Sequence, residues 1–303
     1  MFDRTLPARR RDAREQATLP ATPSLSERFS PPKPRGAMLE VEFAQLSDVG
    51  KVRPHNEDYL GWVDPVTPER TRSHGWLFAL ADGVGGQLQG EVASQTAVES
   101  ICAGFRDAAR EEPLTSLLQK LVQRANASVF EAALSAGTHG AGMATTLVVC
   151  GLRYDRAVVA HVGDSRCYLI RKGAATILTR DHTLASEHAR MGLLSQEEAA
   201  EADTRHILSR SLGGGLFVGV DIGDHQVLAG DVLLLCSDGL HGAVSATEIA
   251  EVAGAGDDLQ AAARKLVELA NERDGSDNVS AQLIRIRGVE RVGMYRGRPY
   301  KLR

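Results

Sequence analysis

The sequence has no long hydrophobic run, and its apolar stretches, such as Trp76–Ala81 and Val232–Cys236, are only a few residues long. A helix that crosses a bilayer needs about 20 apolar residues in succession, so the sequence excludes a membrane span. The arginines Arg9–Arg11 have no hydrophobic segment behind them. Because a signal peptide requires such a segment, we expect none here and predict a cytoplasmic protein.

Cysteine is also scarce. The four cysteines show no paired spacing and lie mostly inside apolar segments: Cys102, Cys150, Cys167 and Cys236. Disulfide frameworks and thiolate metal sites both depend on regularly spaced pairs of cysteines. We therefore expect reduced, buried thiols, as in cytoplasmic proteins, and no metal site built from sulfur.

Aromatic residues make up only 5% of the 303 residues, whereas hydrophobic residues make up 43% and charged residues 24%. These fractions are typical of a globular protein and argue against wholesale disorder, a coiled coil or a fibrous protein. The sequence shows no internal repeat of solenoid period. Its length predicts one large domain or two small ones.

Charge is distributed unevenly along the chain. Residues 1–37 carry 8 Lys and Arg against 4 Asp and Glu, and residues 288–303 carry 5 against 1. The segment between them holds 22 basic residues against 34 acidic ones. Since an acidic surface repels nucleic acid, we expect no nucleic-acid partner unless bound cations invert the local field.

The two ends of the chain differ from the middle in composition. Residues 1–37 contain six prolines and no hydrophobic periodicity, which predicts a disordered basic leader. A strand-like alternation begins directly after Met38, so Met38 is an alternative start of the protein. Residues 288–303 form a basic C-terminal tail, which either stays in solvent or docks on an acidic partner or a membrane surface.

Hydrophobic patterning in the middle predicts both helices and strands. Apolar residues recur at helical spacing over 98–105, 114–125 and 259–270. Short runs bounded by Gly and Asp predict strands over 39–46, 76–81, 145–150, 157–162, 167–170, 232–236 and 279–286. The short connections within 145–178 suit antiparallel hairpins. We predict an α+β fold with helices outside the sheets.

Aspartates stand at the ends of several predicted strands. Asp82 and Asp238 each follow a strand and precede a glycine, Asp164 ends a third strand, and Asp277 leads into the last one. A single Asp-Gly pair is a common turn signal. Several carboxylates in one cleft repel one another, however, and favour a bound cation. Oxygen ligands select a hard ion, so the residues predict a multinuclear Mg²⁺ or Mn²⁺ site.

Seven short motifs follow one another along the chain. They are Arg53-Pro-His-Asn-Glu-Asp58, Ala81-Asp82-Gly83-Val84-Gly85-Gly86, Gly142-Met-Ala-Thr145-Thr146, Val162-Gly163-Asp164-Ser165-Arg166, Asp181-His182-Thr183, Cys236-Ser237-Asp238-Gly239 and Ser276-Asp277-Asn278-Val279. In order and approximate spacing they resemble the metal-dependent protein phosphatases of the 2C type, in their bacterial serine/threonine phosphatase subgroup. The resemblance implies a four-layer α/β/β/α sandwich of two mostly antiparallel sheets flanked by helices, with the catalytic domain over 38–287.

The resemblance also implies which residues hold metal. Asp82 resembles the carboxylate that bridges two ions, with the Gly83 carbonyl on one of them. Asp238 and Asp277 resemble the other ligands of the second ion, and Asp58 resembles the residue that holds metal-bound water. The implied cofactors are two Mn²⁺ or Mg²⁺ ions in the core site, with a weaker third ion beside them.

Asp164 resembles the ligand of that third ion, which it would share with Asp238. Val84 stands where eukaryotic members have a histidine often assigned as the general acid, so we give the acid role to metal-bound water near Asp164. His161 is an alternative acid, although strand alternation favours a structural histidine at the sheet end. Arg166 could instead pair with Asp164 as a purely structural counter-charge.

Three further features have both a functional and a structural interpretation. Arg53 resembles the arginine that grips the substrate phosphate, for which its planar donors are suited, but it could be a surface charge. Ser165 lacks the surroundings of a nucleophile and is interpreted as a turn residue, and Gly213–Gly215 as a flexible loop. Residues 181–215 resemble the family's flap, a mobile insertion beside the cleft, with an ordinary surface insertion as the alternative.

We predict a serine/threonine protein phosphatase that hydrolyses phosphoprotein monoesters by attack of a metal-bridging hydroxide, with Arg53, Asp58 and Asp82 as catalytic residues. The resemblance implies phosphorylated Ser/Thr proteins as substrates and a bacterial Ser/Thr kinase that the enzyme opposes, and we expect a monomer. The alternatives are a catalytically weak regulator that binds phosphoproteins, and a hydrolase of small phosphoesters or nucleic acid.

Overall fold

The computed structural model describes residues 38–84, 88–110, 112–137, 143–295 and 298–301. The predicted leader, residues 1–37, lies outside the described residues, and so do Gly85, Gly86 and Gly142 of the sequence motifs. Among the helices that the structure describes, none is both long enough and apolar enough to cross a membrane.

The described residues form strands and α-helices in mixed order. The strands are β1 (Glu40–Asp48), β2 (Asp58–Val63), β3 (Trp76–Val84), β4 (Ala144–Thr145), β5 (Leu147–Arg153), β6 (Arg156–Val162), β7 (Arg166–Arg171), β8 (Ala174–Ile177), β9 (Asp221–Gln226), β10 (Val232–Cys236), β11 (Val279–Gly288), β12 (Val292–Tyr295) and β13 (Arg298–Lys301). The helices are α1 (Pro68–Ser73), α2 (Leu88–Arg106), α3 (Leu114–Ser135), α4 (Leu184–Arg190), α5 (Gln196–Glu201), α6 (Asp238–His241), α7 (Ala246–Gly254) and α8 (Leu259–Arg273).

Two sheets hold most of the strands, and their neighbouring strands pair antiparallel. The first sheet has the order β1-β11-β10-β7-β8, and the second has the order β2-β3-β5-β6-β9 with β4 beside β3. The predicted hairpins are present: Tyr154 turns between β5 and β6, and Lys172 and Gly173 turn between β7 and β8, all with positive φ. Between β6 and β7 the chain crosses from the second sheet to the first.

The strands alternate between two apolar faces, so three hydrophobic layers form. Leu77, Val149 and Ala160 of the second sheet pack against α2 and α3. Phe78, Cys150, Leu233 and Ile284 fill the space between the sheets. Leu234, Leu283, Ala263 and Leu266 join the first sheet to α8. Burying each such leucine contributes about 2 kcal/mol. The result is the predicted four-layer α/β/β/α sandwich.

The helices form where the predicted periodicity places apolar residues on one face. The helix α3 buries Leu117, Leu121 and Val129, which lie along one stripe. Its exposed face carries charged and polar residues. Asp258 caps the start of the helix α8, because its side chain accepts the Ala261 N–H and so satisfies a free amide there.

The structure differs from the sequence expectations at several elements. The strands β2 and β9 were not predicted, because Gly61 interrupts one pattern and β9 is a half-buried edge strand with mixed polarity. Asp82 and Gly83 do not form a turn, since β3 continues through them to Val84 and Gly83 pairs with Thr145. The predicted strand therefore ends too early.

The chain beyond the sheets returns to the body of the protein. Glu290 is buried and accepts a bond from Nε of Arg72, which belongs to α1. The strands β12 and β13 then form a separate antiparallel pair. The part of the predicted basic tail that the structure describes thus contains a hairpin.

Candidate active site

Two aspartates face each other across neighbouring strands. Asp58 begins β2, and in the antiparallel register it lies directly opposite Asp82 of β3. Directly opposed residues have Cβ atoms about 5 Å apart, so the pairing alone brings the two carboxyl groups together. Asp58 is almost completely buried.

Three further aspartates reach the same place from the ends of other strands. Asp164 lies in the turn between β6 and β7, Asp238 follows β10 as the first residue of α6, and Asp277 precedes β11 by two residues. The side chain of Asp238 interacts with that of Asp82. We call these five residues, Asp58, Asp82, Asp164, Asp238 and Asp277, the acid cluster. It lies where the two sheets meet.

Burial and mutual repulsion disfavour the ionised form of several carboxyl groups in the acid cluster. Removal from water raises the pKa of Asp82 well above its ordinary value, and the other four carboxyl groups each raise it further. Burial likewise raises the pKa of Asp58 to about 7 and that of Asp164 to about 7. The pKa of Asp238 is raised by burial and by Asp277. Such mutual repulsion is relieved by protons or by cations.

Hydroxyl groups fix the backbone and side chains of the acid cluster. Ser237 donates to Oδ2 of Asp58 at 2.8 Å and accepts the Ser280 N–H at 3.0 Å. Oγ1 of Thr146 accepts the Asp82 N–H at 3.0 Å and contacts Oγ of Ser165 at 2.7 Å. Ser165 is therefore a buried hydrogen-bonding residue, as predicted. Ser237 and Thr146 belong to the seven sequence motifs, but we predicted no role for either residue from the sequence.

Asn278 ties together three segments around the acid cluster. Its side-chain oxygen accepts the Glu57 N–H at 2.8 Å, and its amide group donates to the carbonyls of Val49 and His55. Its carbonyl approaches Gly239 so closely that a Cβ there would lie 2.2 Å away. We predicted no role for Asn278 from the sequence. Its place beside a predicted ligand, at the start of a strand, is the signal that could have indicated one.

The residues present fit divalent cations. Within the described part of the chain, Oδ1 of Asp58 is buried without a hydrogen-bond partner. Gly83 has no room for a side chain, because a Cβ would lie 2.3 Å from the Gly90 carbonyl oxygen. Carboxylate and carbonyl oxygens are the donors that Mg²⁺ and Mn²⁺ prefer, and no thiol takes part in the acid cluster.

Arg53 lies at the rim of the acid cluster. Its Nη2 is 2.8 Å from Oδ2 of Asp277, and its side chain is 42% exposed. Burial by itself lowers the pKa of Arg53, but the contact with Asp277 raises it above the ordinary value. Arg53 is therefore exposed, as a surface charge would be, but it contacts a predicted metal ligand.

The structure rejects the pairing of Arg166 with Asp164. Instead, Nε and Nη2 of Arg166 bind the two oxygens of Asp181, at 2.9 and 2.7 Å. The alternation of side chains along β7 shows the face on which Arg166 lies, but it does not reveal that Asp181 competes for the guanidinium. Among the described residues, Asp164 therefore lacks a bidentate cationic partner.

A second polar group lies next to the acid cluster. We call it the flap base, and it comprises Arg166, Arg180, Asp181, His182, Arg210 and Asp221. Asp221 pairs with Arg180 at 2.9 Å and with Arg210 at 3.0 Å. His161 stacks on His182 with ring centroids 4.8 Å apart, and its Nε2 lies 2.8 Å from the Arg180 carbonyl oxygen. These contacts agree with a structural histidine.

The segment 181–215, predicted as a flap, has helical structure of its own. It contains α4, α5 and a short 3₁₀ helix, Asp203–His206. Isolated bridges join Thr183 to Leu208 and Leu212 to Thr145. Several apolar side chains of this segment are exposed, among them Met191 and Leu193.

Known proteins resemble the chain in both sequence and structure. A sequence model of protein phosphatase 2C matches residues 55–284. The serine/threonine phosphatase stp of Listeria innocua is 34% identical over 263 residues, which are 86% of this chain and 99% of the relative. The serine/threonine phosphatase of S. agalactiae has a TM-score of 0.74 at 31% identity, over 82% of this chain and all of that one. The catalytic domain of PstP, solved with two manganese ions, has a TM-score of 0.69 at 32% identity, over 81% of this chain and 98% of that one.

The matched region includes every member of the acid cluster. The two antiparallel sheets, the acid cluster and the seven motifs of the chain lead to the same assignment as the sequence and structural relatives. The family predicted from the motifs is confirmed: the chain belongs to the protein phosphatase 2C family.

Proposed function

We propose that this chain is a metal-dependent phosphatase that hydrolyses phosphoserine and phosphothreonine in proteins. The observation that carries the proposal is the convergence of five carboxyl groups from both sheets on one place, with Arg53 at its rim. The relatives named as serine/threonine phosphatases support the substrate class. A phosphoprotein substrate then requires a serine/threonine kinase that adds the phosphate.

We assign the metal ligands within the acid cluster. Asp82 would be shared by two ions, the Gly83 carbonyl would join it on one, and Asp238 and Asp277 would complete the other. Asp58 would hold water beside them, oriented by Ser237. Divalent cations bound there neutralise the phosphate and lower the pKa of bound water. The two manganese ions of the PstP structure support this number of core ions.

Arg53 is assigned to binding the phosphate of the substrate. A guanidinium offers parallel N–H donors that match two phosphate oxygens. Its exposure lets the side chain leave Asp277 and meet an incoming dianion without disturbing the core. In this role Arg53 binds the phosphate before and during the reaction, whereas the acid cluster acts on the water and the leaving group through its cations.

The organisation of the whole chain follows from the same assignment. We propose a catalytic domain over 38–287, with the flap over 181–215 beside the cleft and a basic tail over 288–303. The described cysteines are all free and buried, which supports a cytoplasmic location. A monomer would suffice, because a single chain supplies the whole acid cluster.

One experiment compares three substrates under Mn²⁺ and under EDTA: a phosphoserine peptide, nitrophenyl phosphate and single-stranded DNA. We expect Mn²⁺-dependent hydrolysis of the peptide and of nitrophenyl phosphate, none of DNA, and none of any substrate under EDTA. Binding of the peptide without turnover would identify a regulator instead. Turnover of nitrophenyl phosphate alone would identify a hydrolase of small phosphoesters.

The weaker third ion is assigned to Asp164, and its function is tested by the leaving group. Asp164→Ala should bind two ions tightly and lose the third, as counted by calorimetry. If that ion helps to protonate the leaving alkoxide, turnover falls sharply for phosphoserine and much less for nitrophenyl phosphate, whose leaving group needs little protonation. Equal losses on both substrates would reject the acid role.

A further inference from the structure

The loop over 213–218, which leads towards β9, carries two adjacent apolar side chains in solvent. Phe217 is 88% exposed, the highest value for a large apolar side chain among the described residues, and Leu216 is 65% exposed. Single exposed apolar residues need no explanation, whereas contiguous apolar area in water marks interaction sites. We call Leu216 and Phe217 the apolar tip, and ask what covers it.

Side chains of α3 hold this loop on both sides of the apolar tip. Asn126 is completely buried, and its Oδ1 accepts the Gly213 N–H at 3.0 Å while its Nδ2 donates to the Gly215 carbonyl at 2.8 Å. Gln123 donates to the Val218 carbonyl at 2.6 Å and accepts the Val218 N–H at 3.4 Å. The apolar tip is therefore exposed on a backbone that α3 fixes.

A short ladder of paired segments joins the apolar tip to the acid cluster. Gly83 of β3 pairs with Thr145 of β4, and Thr145 forms a bridge with Leu212. Oγ1 of Thr145 also donates to the Asp82 carbonyl at 2.8 Å. Neighbouring strands lie about 5 Å apart, and the five residues from Leu212 to Phe217 add at most about 18 Å. The apolar tip therefore lies within about 30 Å of Asp82.

Further apolar side chains are exposed next to the residues of the site. Val52 precedes Arg53, and Val84 ends β3 two residues after Asp82. Both belong to the part of the molecule from which the ladder leads to the apolar tip. A polypeptide that carries a phosphorylated residue also offers apolar side chains beside it, whereas a small phosphoester does not extend beyond the acid cluster. This arrangement fits a polypeptide substrate.

We infer that the apolar tip is a docking point for the protein substrate and contacts an apolar side chain near the phosphorylated residue. The inference rests on the proposed function, in which the acid cluster and Arg53 take the phosphate. An extended chain covers about 3.4 Å per residue, so the contacted side chain lies within about nine residues of the phosphoserine. Because α3 fixes the loop before the substrate arrives, binding orders little of the enzyme.

Two phosphopeptides that differ only in apolar content test the docking point. Each is about 20 residues long with a central phosphoserine, so that it covers the nine residues on either side. One carries leucines at intervals on both sides, and the other has serine in place of every leucine. With the full chain under Mn²⁺, we expect KM to be about tenfold lower for the leucine peptide, because its binding buries apolar area.

Two substitutions of Phe217 separate its apolar character from its presence in the loop. Phe217→Ser should raise KM for the leucine peptide about tenfold, to the value for the serine peptide. It should change KM for the serine peptide and for nitrophenyl phosphate less than about twofold, because neither reaches the apolar tip productively. Phe217→Leu keeps an apolar side chain, so KM for the leucine peptide should stay within about threefold of the wild type.

Val66→Ser is the matched control, because Val66 is also highly exposed but follows the end of β2 that is remote from Asp58. It should leave KM unchanged for all three substrates. Gln123→Ala tests the support of the loop: it removes both contacts with Val218 and keeps the apolar tip. We expect it to raise KM for the leucine peptide about threefold and to leave nitrophenyl phosphate unaffected.

The results distinguish failure of the docking point from failure of the proposed function. If the wild type hydrolyses both peptides with the same KM, or if Phe217→Ser still prefers leucine, the docking point is rejected and the phosphatase assignment stands. If the wild type hydrolyses neither peptide, both fall. Sedimentation equilibrium should give one mass for the wild type and Phe217→Ser. A wild-type dimer that Phe217→Ser dissociates would assign the apolar tip to a second copy of the chain and overturn the inference.

Discussion

The acid cluster and the flap base are neighbouring polar groups with opposite electrostatics. In the acid cluster, burial and mutual repulsion raise the pKa of Asp82, Asp58 and Asp164. In the flap base, burial also opposes ionisation of Asp181 and Asp221. Nevertheless, Arg166 lowers the pKa of Asp181 below its ordinary value, and His182, Arg180 and Arg210 do the same for Asp221. Both groups are built from aspartates at strand ends, so position alone does not explain the difference.

The difference lies in where the protein supplies its own cations. The flap base has Arg166, Arg180 and Arg210 for two aspartates, whereas Arg53 is the guanidinium that contacts the acid cluster within the described residues. Balanced charges hold chain segments together, and unbalanced ones remain available for ions from solution. Aspartates therefore hold chain segments together in the flap base, whereas in the acid cluster they are the proposed metal ligands.

The strongest test of this comparison is to neutralise one aspartate in each group. Asp82→Asn should lower turnover of a phosphopeptide at least about 1,000-fold, because it removes charge from the residue proposed to be shared by two ions. Asp181→Asn should retain most of the turnover per folded molecule, since its partner is Arg166. The measurement is kcat under saturating Mn²⁺. A similar decrease of kcat in the two variants would contradict the difference proposed between the acid cluster and the flap base.

The pH dependence of stability without metal gives the next largest effect. The pKa of Asp164 is raised from 3.8 to about 7 in the folded protein, so its contribution to stability is complete below pH 4 and is lost as the pH rises to 7. Relative to the wild type in EDTA, the free energy of unfolding of Asp164→Asn should rise by about 4 kcal/mol between these limits. Urea denaturation at each pH measures the difference.

The difference between variant and wild type removes the contribution of the histidines, because both proteins contain them. Their lowered pKa values make stability rise with pH, whereas the raised pKa of Asp164 makes it fall. Asp257→Asn, which alters a carboxyl that is 95% exposed, is the matched control and should follow the wild type at every pH. Saturating Mn²⁺ should reverse the order, because only the wild type keeps the proposed ligand of the third ion. A constant difference across the pH range would show that Asp164 ionises normally when buried.

Breaking the flap base should reduce stability more than it changes metal binding. Arg166→Met leaves the carboxylate of Asp181 partly buried without its bidentate partner, so the free energy of unfolding should fall by about 2 kcal/mol. Arg156→Ala removes an exposed pair with Asp224 and should cost less than about 0.5 kcal/mol. Loss of the two tight ions in Arg166→Met would mean that the groups are not separable.

The smallest expected effect concerns the cation at the rim of the acid cluster. Arg53→Ala should raise KM for a phosphopeptide about tenfold and change kcat less than about threefold, because binding before and during the reaction is lost equally. Arg53→Lys keeps the charge but not the parallel donors and should lie between the two. Steady-state kinetics measures both constants. An unchanged KM would support the alternative that Arg53 is a surface charge with no role in binding the phosphate.

Prediction from the sequence succeeded where the pattern is local. The continuous apolar run Val232–Cys236 and the helical periodicity over 259–270 each indicate an element from the placement of apolar residues, and β10 and α8 form there. It failed at β9, because an edge strand with one half-buried face has no apolar alternation to detect. The Asp-Gly pairs were also ambiguous, since one lies inside β3 and the other starts α6.

The sequence by itself determined the family, the two-sheet fold and the set of acidic residues, because ordered motifs and hydrophobic spacing are properties of the chain. Only the tertiary structure decided which of the described acidic residues pair with arginines. Arg166 could have served Asp164, two residues away, but folding brings Asp181 to its two donors. Pairing of charges depends on distances across the fold, and these are set by packing of the sheets and the flap rather than by position along the chain.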